Sequence, residues 1–481
     1  MTKPFFITTA IDYVNGEPHV GHASEKVLTD AVARYHRDVL GEDVFFLTGT
    51  DENSLKNVQG AEKAGRPVDE YVKENAEAFK SLGNSLGLSF DRFIRTTEDI
   101  HFAGAKRFWG AMDPDDLYKK SYKGLYCVGC EEFKTEKDLV DCKCPEHLTA
   151  PEIVEEENWF FRLSAYQDVL RRLIMSGELS IVPDFRKNEV LSFIDGGLED
   201  FSVSRSVARA KGWGVPVPGD ESQIMYVWVD ALANYVTALD FAGDGADYRK
   251  FWAGDGERVH VIGKGILRFH AIYWPAMLLS AKLPLPTKIY AHEYLTIDGQ
   301  KMSKSLGNVL YPGELVERFG KDGARYLLLT ALPYSKDGDL SWAKMTEKYN
   351  ADLANGLGNL VSRVMRLSEG LDTDAKGGME FPEYPTEVSE PIDAYRFAEA
   401  LEKIWETVRE SNRYIEEEKP WELAKNDRER FTGVMRTLLD RLAYLSVALV
   451  PFLPETAGKI RAALGSGKTD ILFQRVVSDN R

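Results

Sequence analysis

Apolar and polar positions near the start of the chain fall into two textures. Residues 5–11, FFITTAI, form a short apolar and β-branched run, the pattern of a buried strand. Residues 24–40 are rich in helix formers and follow Ser24, a favourable N-cap, so a helix is expected there. DVFFLT at 43–48 reads as a second strand and ends in Gly49-Thr50-Asp51. Strand, helix and strand joined by short connections make a βαβ unit, whose usual home is a parallel doubly wound sheet. More helix follows to about residue 110.

From about 115 to 225 the texture changes to Gly/Pro turns and an acidic run, Glu155 to Glu157, which reads as an insertion. The α/β pattern then returns: YVWVDALANYV from 226, the strand HVIG at 260–263, the helical FHAIYWPAMLLSA at 269–281, and a strand KIYAHEYLTI at 288–297. Beyond about 345 strand signals become rare. Phe397, Leu401, Ile404, Trp405, Val408, Asn412 and Ile415 recur at helical spacing, as do Val434, Leu438, Leu439, Leu442, Leu445 and Leu449. The charged, Pro-containing stretch 375–391 reads as a loop between helices of a bundle. The expected organisation is an α/β domain over 1–115 and 226–290, a connective insertion at 116–225, a lysine-loop region at 291–346, and an α-helical domain at 347–481.

Composition narrows the classes. Apolar residues make up 44% and charged residues 28%, which excludes a largely disordered chain. Lysine plus arginine total 60 against 76 aspartate plus glutamate, a formal charge of −16. A nucleic-acid partner must therefore be held on a local basic surface, because the bulk charge repels phosphate. The N-terminus lacks the apolar core of a signal peptide, and stretches such as Leu445 to Phe452 are too short to span a bilayer. A cytoplasmic location without membrane attachment is expected. All 4 cysteines lie between Cys127 and Cys144, a clustering that reads as metal binding in a reducing compartment.

Two motifs carry the chemistry. The first strand leads into DYVNGEPHVGH, residues 12–22. Ligands of open α/β sheets bind beyond the carboxyl ends of the strands. A helix beginning just after His22 would direct its positive end at a phosphate there. Gly21 lets the backbone approach closely, and His19 and His22 could donate to a transferring phosphoryl group. Alone, the motif also describes two surface histidines beside a loop. The second motif is KMSKS, residues 301–305, after the turn Asp298-Gly299 and what reads as the last strand of the same sheet. Lys301 and Lys304, on a loop flanked by serine and glycine, can close over a triphosphate and stabilise charge when swung in. Alone, it also describes a solvated polar loop.

Together the motifs resemble the paired signatures of class I aminoacyl-tRNA synthetases. The surrounding TGTDE, GLEDFSVSR (197–205), YVWVDA (226–231), IGKG (262–265), FHAIYWPA (269–276), ADLANGLGNLVSR (351–363) and KPW (419–421) resemble the methionyl-tRNA synthetases over essentially the whole chain. The resemblance implies activation of L-methionine by ATP with Mg2+, release of pyrophosphate, and transfer of methionine to the 3′ end of tRNA(Met), for initiation and elongation. It implies that His19 and His22 stabilise the pentavalent α-phosphorus, that Gly21 and Gly263 make room for the nucleotide, and that Lys301 and Lys304 hold the departing pyrophosphate. Methionine would be lined by Ile11, Tyr13, Trp228, Ala231, Tyr235, Phe269 and His270, with Asp51 at its ammonium. Asn359, Arg363 and Trp421 would read the CAU anticodon.

Cys127-x2-Cys130 and Cys144-x2-His147 form two short pairs suited to one structural Zn2+, with Cys142 as a spare sulfur that could replace Cys144 or His147. The resemblance supports a zinc knuckle in this insertion. The insertion is too short for a separate hydrolytic domain, which favours methionine over isoleucine, leucine or valine. Departures from the family pattern fall at Asn53-Ser54, Gly265, Glu293 and Cys142. The chain is expected to act as a monomer. Two other readings are a non-catalytic RNA-binding paralogue and a cysteine-activating relative. Intact histidine and lysine motifs oppose the first, and the lack of a cysteine ahead of His19 opposes the second.

Overall fold

Strand Pro4–Thr9 is buried from Phe5 onward on both faces, which is why its sequence is a continuous apolar run without alternation. The computed structural model describes residues 3–127, 132–134, 136–145, 148–302, 307–369, 371 and 380–477. The chain forms two compact units. The first comprises Met1–Pro18, Asp43–Ser81 and Phe90–Ala291; the second comprises His19–Glu42, Leu82–Ser89 and His292–Arg481.

The core of the first unit is a seven-stranded sheet among the described residues, ordered Asp12–Tyr13, Asp43–Asp51, Pro4–Thr9, Glu257–Gly263, Lys288–His292 and Ser180–Val182. Arg92–Arg95 also pairs with Asp43–Asp51, in parallel. Phe5 to Thr9 pair in parallel with Glu257 to Val261 on one side, and Pro4 to Thr8 with Asp43 to Leu47 on the other. The strand order reverses at this first strand. In such sheets the ligand crevice opens at that reversal, beyond the carboxyl ends of the strands. Residues 10–13, Asp51 and Gly263 all occupy those ends. The doubly wound sheet expected from the βαβ pattern is therefore present. The insertion builds an antiparallel sheet of Glu132–Lys134, Leu117–Cys127, Glu152–Phe161 and Phe201–Ser202.

In the second unit, helix Val20–Arg34 is anchored through a buried charge cluster. Arg325 donates to Asp30 at 2.7 Å and to the carbonyls of Phe452 at 2.7 Å and Pro451 at 3.2 Å. Burial alone would raise the pKa of Asp30, but Arg325, Arg34 and Ser89 outweigh it and hold the carboxylate below its ordinary value. The helical region contains Asn359–Ser368, Phe397–Glu418, Pro420–Asn426, Arg428–Ala448 and Pro454–Ser466, and it buries both apolar stripes read from the sequence.

Three local expectations are corrected. The first helix starts at Val20, with His19 and not Ser24 as its N-cap, so His22 lies inside its first turn. The run 288–297 is two strands. Lys288–His292 belongs to the main sheet, whereas Leu295–Ile297 pairs with Gln300–Lys301 and Gly338–Leu340 in a separate small sheet. The lysine motif thus follows a short hairpin and not the last strand of the main sheet. Within 375–391, Thr386–Asp393 is helical, because Val388 and Ile392, one turn apart, are both buried.

Candidate functional site

The residues expected from the sequence to line methionine all lie within the first unit. Tyr13 and Asp51 are register partners on neighbouring parallel strands, which sets both at one sheet end. Helix Val227–Thr237 supplies Trp228, Ala231 and Tyr235, and a turn of wider helix, Phe269–Tyr273, supplies Phe269 and His270. Trp228 and Phe269 stack at 3.9 Å with rings 7° from parallel. Ile11, Tyr13, Trp228 and Phe269 are half-buried against the core. The Lys56 ammonium sits 4.7 Å from the centre of the Tyr13 ring.

Tyr235 and His270 are fully buried and bonded. His270 Nδ1 lies 2.9 Å from the Ile266 carbonyl, which can only accept, so this nitrogen carries the proton. His270 Nε2 then accepts from the Tyr235 hydroxyl at 2.7 Å. Behind them His260 stacks on Tyr235 at 4.0 Å and bonds Thr8 at 2.8 Å. Burial, with His270 and Arg258 near by, pushes His260 well below the ordinary imidazole value, so it is neutral at pH 7. Gly263 ends its strand buried, and Lys264 follows in a tight turn.

The histidine motif belongs to the second unit. The Gly21 N–H donates to His19 Nδ1 at 3.1 Å, and the His19 N–H donates to His22 Nδ1 at 3.1 Å. This is a capping box made from two imidazoles in place of the usual hydroxyl and carboxylate. A backbone N–H can only donate, so both neutral rings hold their proton on Nε2. The rings stack at 3.8 Å. A β-carbon on Gly21 would lie 2.9 Å from the His19 ring and 3.5 Å from the methyl of Met302, so only glycine leaves this histidine in place. Met302 follows Lys301, which is exposed on the hairpin strand Gln300–Lys301. The Val20 N–H also donates to the Leu310 carbonyl at 2.9 Å, tying the far side of the lysine segment to the same helix. Lys304 lies outside the described residues.

Two further groups were predicted from the sequence. Asn359 and Arg363 share helix Asn359–Ser368, and Trp421 starts helix Pro420–Asn426. The Arg363 guanidinium lies 5.9 Å from the Trp421 ring and pairs with Glu416 at 2.8 Å. Trp421 is 39% exposed, which a core tryptophan would not be. In the insertion, Cys127 and Cys144 are buried, while Cys142 is exposed at a residue with φ of 59°. Cys130 and His147 lie outside the described residues, and among the described residues no three His, Cys, Asp or Glu gather as a metal set.

The model of tRNA synthetases class I (M) matches residues 5–150 and 137–365, and that of the anticodon binding domain of methionyl tRNA ligase matches residues 379–477. The methionine–tRNA ligase of Thermotoga maritima is 41% identical over 95% of this chain and 74% of its own length. That of Brucella suis biovar 1 is 42% identical over 95% of this chain and 91% of its own. The chain belongs to the class I methionyl-tRNA synthetases. A crystal structure of the Mycobacterium tuberculosis methionyl-tRNA synthetase bound by methionyl-adenylate superposes with a TM-score of 0.87, at 40% identity over 96% of this chain and 94% of that one.

Sequence reasoning missed a buried polar cluster on the helix that carries Trp228, Ala231 and Tyr235. His101 and Asp230, both buried, bond at 2.5 Å, and Asn53 reaches the other oxygen of Asp230 at 2.8 Å. Part of the signal was present: Asp230 is an aspartate inside the largely apolar helix Val227–Thr237. The meeting of His101 and Asp230 joins positions 129 apart in the chain, which periodicity does not report. The His292–Glu25 pair at 2.9 Å was likewise hidden.

Proposed function

We propose that this chain joins L-methionine to tRNA(Met) in two steps, using the residues placed above. Methionine's carboxylate attacks the α-phosphorus of ATP, and pyrophosphate leaves. His19 and His22 donate from Nε2 to the α-phosphoryl oxygens as their charge rises, and Lys301 with Lys304 holds the departing pyrophosphate. The observation that carries this reading is the imidazole capping box, which leaves the proton of both histidines on Nε2, with the methyl of Met302 of the lysine motif close to Gly21. Mg2+ bound with the nucleotide would supply neutralisation of phosphate charge. Gly263 gives the nucleotide room at its strand end.

Asp51 pairs with the substrate ammonium. Trp228, Phe269, Tyr13 and Ile11 pack its thioether, with Ala231 leaving space for the side chain and the Tyr235–His270 pair closing the slot. The methionyl group then passes from the adenylate to the 3′-terminal ribose of tRNA. Trp421 stacks an anticodon base while Asn359 and Arg363 read base edges; the 39% exposure of Trp421 and its nearness to Arg363 support this. One structural Zn2+ in the insertion would be held by Cys127, Cys130, Cys144 and His147. Burial of Cys127 and Cys144, against the exposure of Cys142, favours Cys144 over Cys142 as the ligand. Such an ion would brace the insertion without entering the reaction. A cytoplasmic location fits this work, and among the described residues no helix is long and apolar enough to cross a membrane.

The test is charging of tRNA transcripts with labelled methionine. A transcript with a CAU anticodon is expected to be charged, and the same transcript with that anticodon replaced is not. Equal charging of both would remove the role given to Asn359, Arg363 and Trp421.

A further inference from the structure

The polar cluster found only in the structure has no part in the reaction as written above. Its geometry is specific. Asn53 Nδ2 donates to Asp230 Oδ2 at 2.8 Å and to the Thr96 carbonyl at 3.0 Å, while its own backbone N–H donates to Asp51 Oδ1 at 3.3 Å. The second oxygen of Asp230 takes the His101 Nε2 proton at 2.5 Å, and His101 Nδ1 meets Thr237 Oγ1 at 2.8 Å. All of these side chains are buried. Asn57 completes the turn by donating to the Asp51 carbonyl at 2.8 Å.

Asp230 lies on helix Val227–Thr237 between Trp228 and Ala231, and Thr237 ends that helix. One side of the cluster thus grips the pocket helix, and the other grips the turn that presents Asp51. We infer that Asn53, braced by Asp230 and His101, is a positioning residue that sets the Asp51 carboxylate against the pocket helix and so fixes where the ammonium of methionine is held. Asp230 is a buried carboxylate whose oxygens are taken by these two partners. Removing the Asn53 side chain leaves one oxygen unpaired in a site that water does not reach, and the turn must move to satisfy it. The inference rests on Asp51 being the ammonium partner.

The experiment is methionine-dependent ATP–pyrophosphate exchange on the full chain with Asn53→Ala, together with binding of methioninol, which keeps the ammonium, and of 4-(methylthio)butanoate, which lacks it. The expected result is a rise of about tenfold or more in KM for methionine, with KM for ATP changed by less than about twofold, as for loss of one hydrogen bond to a buried charged group. The preference for methioninol over the ammonium-free acid should narrow, which general loosening of the fold would not produce. His101→Ala should reproduce the defect, and His101→Gln, which keeps an N–H toward Asp230, should restore most of it. This second pair also serves if Asn53→Ala does not fold. An unchanged KM for methionine, or a rise shared equally by methionine and ATP with the ammonium preference intact, would overturn the inference. Asp51→Asn with an unchanged KM would overturn the assignment beneath it, and separates that failure from this one.

Discussion

The proposed methionine pocket and the proposed phosphate-handling motifs are built by opposite means. The pocket lies in a sheet-centred unit, where stacked rings and buried hydrogen bonds fix each side chain: Trp228 on Phe269, Tyr235 on His270, Asn53 on Asp230. The histidine and lysine motifs lie in the other unit. His19 and His22 are half-buried at a helix start, and Lys301 is exposed on a two-residue strand. A selective pocket for a small apolar side chain gains from rigidity, because one missing or extra methyl group is worth only about 1–3 kcal/mol. Groups that stabilise charge on a transferring phosphoryl gain most when their interaction strengthens in the transition state, so they act from edges and loops. Variants in the pocket should therefore move KM for methionine, and variants in the motifs should move kcat.

The sharpest way to break that division is His22→Ala. Pyrophosphate exchange should fall by about 10²- to 10³-fold, the usual cost of removing one donor to a developing charge, while KM for methionine stays nearly constant. A large rise in KM with normal kcat would merge the two regions. Trp421→Ala sits outside both. Tryptophan stacking on a base is worth about 1–3 kcal/mol, so charging of tRNA should weaken about 5- to 150-fold, read as KM for tRNA, with exchange untouched. Next in size is Tyr235→Phe, which leaves His270 Nε2 without its donor. The cost of about 1–3 kcal/mol should appear as a rise of about 5- to 150-fold in KM for methionine, with kcat preserved.

The smallest effect concerns the helix that carries the histidines. Burial alone would lower the pKa of His292, but the hydrogen bond and charge of Glu25, with Glu293, outweigh it and raise the pKa above 6.5. A raised histidine pKa stabilises the fold fully below the unfolded value, and that stability is lost as pH climbs through the folded value. Melting temperature should therefore decline above pH 6.5, and His292→Gln should flatten the decline, with a difference on the order of 1–2 °C. Identical pH curves for the two proteins would show that the pair contributes nothing.

How much was legible in the sequence follows from which forces are local. Strand Pro4–Thr9 could be read because a parallel strand buried on both faces is a continuous apolar run. The helical stripes from Phe397 and Val434 could be read because one face of each meets a core. The start of the first helix was misplaced because its cap is an imidazole, outside the usual capping residues, while Ser24 supplied a false signal. The break at Glu293 was invisible because it reflects a change of partner sheet, not a loss of strand propensity. At the site, the expectations for Tyr13, Asp51, Trp228, Tyr235, Phe269 and His270 came from motif context. Asn53, His101 and Asp230 were not joined, since a buried polar cluster is defined by long-range contacts alone.

The central claim, that a methionine pocket and a phosphate-activating pair serve one reaction, is tested most directly by ATP–pyrophosphate exchange on the purified chain with each amino acid in turn. The account predicts robust exchange with L-methionine and at most weak exchange with any other, abolished by His22→Ala. No exchange with methionine in the presence of Mg2+, or equal exchange with leucine or cysteine, would contradict it.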